Sequence, residues 1–248
     1  MGPAGVSTGQ RPAFYALETG GWRDFVTLLH PPYTLWHLSY VVIGAALAPT
    51  LPVGRLLWGL AAFFLALGVG AHALDELNGR PLRTAISDRT LVALAVASIA
   101  AAAAIGLGAA VAWTPLLLPF VAFGTFIVVA YNLELFDGTF HSDLWFALAW
   151  GAFPVVTAYV GAAETVRPEA LLAASFAAFL SLAQRQLSTQ VRTVRRRTDH
   201  VRGTIAYTDG REEPLTEDTL LRAPEAALRA LAWAIVALAL ALLVLRLG

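Results

Sequence analysis

The chain has 248 residues, 58% of them hydrophobic and 14% charged, with a formal net charge of zero. Soluble domains carry about 45–50% apolar residues, and a soluble fold of this length could not bury so many long apolar runs. The balanced charge leaves no electrostatic footprint for nucleic acid. All 17 basic residues are arginine, which excludes lysine Schiff-base chemistry and lysine nucleophiles. The lack of cysteine removes disulfides, thiolate metal sites and cysteine nucleophiles together.

The first 30 residues mix glycine, proline, arginine and aromatics without an apolar h-region, so no cleaved signal peptide is predicted. Residues 1–32 read as a cytoplasmic amino-terminal segment and 33–248 as a single transmembrane domain. Apolar segments at 33–51, 54–75, 89–110, 112–131, 143–163, 168–187 and 225–246 each approach the length needed to cross hydrocarbon. There the backbone must satisfy its own hydrogen bonds, so the fold class is all-α: a polytopic membrane bundle of about seven helices. Ser87 with Asp88, and Ser142 or Asp143, are placed to cap the third and fifth helices. Pro168 with Glu169, and Pro224 with Glu225, read as first-turn residues of the last two. Pro115, Pro119 and Pro154 fall inside predicted helices, where they would kink them. A long loop is expected at 190–223. Its Gly203–Arg211 stretch alternates around Asp209-Gly210, predicting a small cytoplasmic β-hairpin after helix 6.

Arginine divides unequally between the two faces. Arg11, Arg23, Arg80, Arg83, Arg89, Arg185, Arg192, Arg195 to Arg197, Arg202, Arg211 and Arg222 fall on one side, against Arg55, Arg167 and Arg246 on the other. By the positive-inside rule the amino terminus is cytoplasmic and the carboxyl terminus outside, in a plasma (inner) membrane.

Ionisable groups near membrane depth are costly and point to function. His72, Asp75 and Glu76, at i, i+3 and i+4, share one helix face at the end of the second span. With Glu134, His141 and Asp143 from the loop after helix 4, they form six candidate ligands for a divalent cation, Mg²⁺ first among them. An interfacial ion network with Arg80 and Arg83 accounts for the second-span cluster equally well. Arg185 and Arg192 are candidate phosphate ligands through their planar donor forks, whereas Arg195, Arg196 and Arg197 read as topology anchors. His30 and His37 read as packed or headgroup-facing residues beside the interfacial aromatics Tyr33 and Trp36.

The run Leu29-His30-Pro31-Pro32-Tyr33-Thr34, the stretch Asp75 to Ser87 with Arg80-Pro81-Leu82-Arg83, and Tyr131-Asn132 at the end of helix 4 resemble the UbiA-type intramembrane prenyltransferases. The likeness covers about residues 28–192. It implies a transferase acting on an isoprenoid diphosphate or similar lipid, with Asp75 and Glu76 as catalytic, metal-binding carboxylates. Arg80, Arg83, Tyr131, Asn132, Arg185 and Arg192 would then meet the substrate. The first aspartate motif opens here with Ala71-His72, and the positions of the second, Gln184 to Ser188, hold no aspartate. Two alternatives stand beside the transferase: a membrane metalloenzyme of different chemistry, and a non-catalytic lipid-binding or accessory protein. The implied partner is a membrane lipid or isoprenoid; no nucleic acid is expected, and the sequence names no protein partner.

Overall fold

Helices dominate the computed structural model, which describes residues 11–248. Residues 1–10, part of the expected amino-terminal segment, lie outside the described residues. In chain order the elements are α1 (Trp22–Leu28), α2 (Pro31–Leu47), α3 (Val53–Leu77), α4 (Asp88–Ala112), α5 (Pro115–Asn132), α6 (Asp143–Ala163), α7 (Pro168–Arg197), β1 (Thr204–Ala206), β2 (Glu212–Pro214) and α8 (Glu217–Leu247). Among the described residues, six helices, α3 to α8, are long and apolar enough to cross a membrane. The protein is an integral membrane protein.

The 17-residue α2 runs through the middle of the bundle, packed against α6 and α8. Trp36, Tyr40 and Ile43 of α2 share one core with Val155 of α6, Ala174 and Ala177 of α7, and Ile235 of α8. Small residues allow this closeness. A Cβ placed on Gly44 would overlap the Val155 carbonyl, and one on Gly151 would come within 2.6 Å of the Ala177 oxygen.

Local signals explain most helix ends. The Ser87 hydroxyl accepts from the Thr90 N–H, Ser142 accepts from Trp145, and α7 starts at Pro168. Asp143 begins α6 instead of capping it. Pro115 and Pro119 start helical segments, Pro115–Leu117 and Leu118–Asn132, instead of kinking one, and Pro154 lies inside α6, directly after a widened π turn. A second π stretch, Phe64–Ala71, interrupts α3.

The loop expected at 190–223 is shorter, because α7 runs on to Arg197 and α8 begins at Glu217. The ends of both that flank the hairpin are amphipathic: Val191 and Val194 bury against Leu221 and Leu228. Arg195 donates to Glu225 at 2.6 Å across the same seam. Pro224 is therefore interior to α8, whose cap is Thr216. The Leu220 carbonyl, which the proline cannot serve, accepts from Gln190 Nε2 at 3.4 Å. β1 and β2 pair antiparallel, Ile205 opposite Glu213, and form the expected hairpin.

Candidate functional site

A polar chamber of about 120 Å³ opens at the end of the bundle where α3 finishes and α7 emerges. Its walls include His72 and Asp75 of α3, Tyr131 and Asn132 of α5, His141 of the loop after α5, Gln184, Arg185, Ser188, Arg192 and Arg196 of α7, and His30, Tyr33 and His37 beside and along α2. Pro12 to Tyr15 close one side. The Arg196 Nε donates to the Pro12 carbonyl at 3.1 Å, and the Tyr15 ring lies 5.3 Å from His30 and 5.6 Å from Tyr33.

Both π stretches border this chamber. Widened turns leave carbonyls displaced from their ladder, and imidazoles contact them: His72 Nδ1 lies 3.1 Å from the Gly68 oxygen, His37 Nδ1 3.0 Å from that of Trp150. A carbonyl only accepts, so Nδ1 carries the hydrogen and Nε2 keeps its lone pair. His30 takes a left-handed backbone (φ 45°) and stacks on His72, centroids 4.1 Å apart. Burial first, then the neighbouring His72 and the charges of Arg196 and Arg192, hold the His30 imidazole well below its ordinary pKa, so it is neutral.

Arg185 is fixed on three sides. Its guanidinium donates to the Asp143 carboxylate and to the Tyr131 hydroxyl, and lies 5.2 Å over the Phe146 ring. Tyr131 stacks on His141 at 4.4 Å and packs on Trp150 at 4.3 Å. Arg192 donates to the Thr189 hydroxyl at 3.0 Å. Among the described residues, three arginines and a single carboxylate, that of Asp75, line the chamber.

The expected ligand set is divided. Asp75, His72 and His141 line the chamber together with Tyr131, Asn132, Arg185 and Arg192. Glu76 points away: it is fully buried, its carboxylate accepting from the Leu82 N–H at 2.9 Å, the Thr84 N–H at 2.8 Å and the Thr84 hydroxyl at 2.9 Å. It folds the loop after α3 back on the helix. Arg80 serves that loop too, donating to Asp88 and to the Ile86 carbonyl, and neither Arg80 nor Arg83 lines the chamber. Glu134 is exposed, 3.8 Å from His141 Nδ1, and Asp143 is held by Arg185. Among the described residues no three His, Asp or Glu side chains form a group able to hold a metal. Mg²⁺ demands a near-octahedral oxygen shell, and the one lining carboxylate does not fit the cation that the resemblance implies.

Sequence reasoning missed Arg196, Gln184, Trp150 and the closing segment at Tyr15. It also passed over a deeper signal. Among the described residues, the buried side-chain atoms without a hydrogen-bond partner are His30 Nε2 and Gln184 Oε1, and both residues line this chamber. Such orphans are costly. Their coincidence in one cavity makes it the candidate site for a polar ligand.

Beneath the chamber lies a second cavity of about 130 Å³, almost wholly apolar, lined by residues such as Leu67, Ile99, Gly106, Phe120, Val128 and Phe153. Trp150 lines both. A pocket lined by three arginines and an apolar slot thus share one wall, the Trp150 indole. Comparison with family models, curated proteins and solved structures returns no match for this chain.

Proposed function

We propose that this protein is a UbiA-like membrane transferase that takes an isoprenoid diphosphate, the diphosphate in the chamber and the hydrocarbon tail in the apolar slot past Trp150. In this reading α2 is a seventh span, and the chamber faces the cytoplasm, on the arginine-rich side. The observation that carries it is the shared wall: an amphipathic lipid phosphate is the ligand class that needs a cationic pocket and an apolar slot in contact.

The chemistry follows from the placement. The allylic carbon–oxygen bond breaks as guanidinium groups take up the charge developing on the leaving diphosphate. The faces of Trp150, Tyr131 and Phe146 steady the positive carbon. A new bond forms from the acceptor, whose proton passes to the Asp75 carboxylate, with His72 Nε2 one turn away as the next proton site.

The test compares farnesyl diphosphate, inorganic pyrophosphate and farnesol as stabilisers of the detergent-purified protein. Farnesyl diphosphate is expected to raise the melting temperature more than either fragment, because it alone fills both cavities. Farnesol matching it would show that the charged chamber contributes nothing and would end this reading.

A further inference from the structure

The residues that face the chamber carry a consequence for how the phosphates are held. Positions 185, 192 and 196 of α7 are spaced i, i+7 and i+11, which at 3.6 residues per turn brings all three to one face. Their side chains are set in different ways: Arg185 by Asp143 and Tyr131, Arg196 by the Pro12 carbonyl, and Arg192, among the described residues, by the neutral Thr189 hydroxyl. Carboxylates that could serve a cation are committed elsewhere, Glu76 to three donors of its own loop and Asp143 to Arg185. Arg185 itself falls within Gln184 to Ser188, the stretch where the resemblance would put metal-binding aspartates.

Resting on the functional reading above, we infer that this chamber binds its diphosphate through guanidinium groups in place of divalent cations, with Arg185 doing the work of a second metal ion. A guanidinium is charged at every accessible pH and offers a planar donor fork that matches two phosphate oxygens. It also brings its charge without needing the oxygen shell that Mg²⁺ requires. Arg192, bonded to the Thr189 hydroxyl, and Arg185, preset by Asp143 and Tyr131, grip the anion from positions two helical turns apart. Asp75 is left clear of the phosphate contacts.

The test measures binding of inorganic pyrophosphate and of farnesyl diphosphate to the full chain in detergent by calorimetry, once with excess EDTA and once with saturating Mg²⁺. Affinity is expected to agree between the two arms within about threefold. Arg192→Gln, at an exposed position that forms no ion pair among the described residues, should lose about tenfold or more in both arms, and Arg185→Lys should lose as much through the broken fork while staying folded. Binding seen only with Mg²⁺ would overturn the inference and leave the proposed substrate standing. Absence of binding in both arms would overturn the two together. Tight binding in EDTA that neither arginine variant weakens would place the phosphate elsewhere and overturn the inference as well.

Discussion

Asp75→Asn is expected to cut transfer from farnesyl diphosphate by about 10²- to 10⁴-fold, the range lost with a general base, while the protein still folds. Among the described residues the Asp75 carboxylate accepts no hydrogen bond of the kind that fixes Glu76, so its amide isostere leaves α3 unchanged. The substitution also removes the one negative charge among the residues lining the chamber. Binding of the diphosphate should therefore hold or tighten by a few fold as turnover collapses, since a like charge is withdrawn from beside the anion. Release of pyrophosphate in membranes expressing the variant, set beside calorimetry on purified protein, separates the two effects. Equal losses in binding and turnover would make Asp75 a ligand-holding residue and not the proton acceptor.

Gly44→Leu is the change expected to cost most in stability. The Cβ alone would meet the Val155 backbone carbonyl, which no rotamer change can move. Two helices of the central core must separate, taking Trp36 and Tyr40 with them. Overpacking against side chains costs about 1–3 kcal/mol, and a backbone obstacle sets the loss at or above about 3 kcal/mol. Gly108→Leu is the matched control: nothing lies within 4 Å of its added Cβ, and it sits on the exposed face of α4. Monodisperse recovery in detergent should fail for the first and not for the second. Survival of Gly44→Leu with an unchanged melting curve would mean that α2 and α6 do not approach as described.

Much of this was legible along the chain because hydrocarbon imposes blunt rules. All seven apolar segments correspond to helices, six of them long and apolar enough to cross a membrane among the described residues, the caps at Ser87 and Ser142 lie where the sequence puts them, and the Asp209-Gly210 turn closes its hairpin. Tyr131, Asn132, His141, Arg185 and Arg192 were candidates before any coordinates, and all line one cavity. The failures have physical causes. Arg195 and Arg196 are neighbours in sequence but about 100° apart on a helix, so one pairs with Glu225 while the other turns into the chamber. That distinction needs α7 to continue past the membrane, and only burial of Val191 and Val194 on α8 reveals it. Glu76 was grouped with His72 and Asp75 on helical spacing. All three sit in the regular turn His72–Leu77 that follows the π stretch, but Glu76 lies about 100° round the helix from Asp75, and the loop at 82–84 supplies backbone donors that no spacing rule anticipates. Trp150 and Gln184 carry no motif at all, since a shared wall and an orphaned amide exist only in three dimensions.

The most direct measurement exploits the absence of cysteine from the sequence. Ser188→Cys places one thiol on the chamber wall, where the native hydroxyl bonds to the Arg185 carbonyl at 3.1 Å. A membrane-impermeant maleimide should label it in inverted vesicles and not in right-side-out ones. Farnesyl diphosphate at ten times its dissociation constant should slow the reaction about tenfold by occupancy. Labelling from the outer side, or a rate in inverted vesicles unaffected by saturating farnesyl diphosphate, would contradict a cytoplasmic chamber that receives a lipid phosphate.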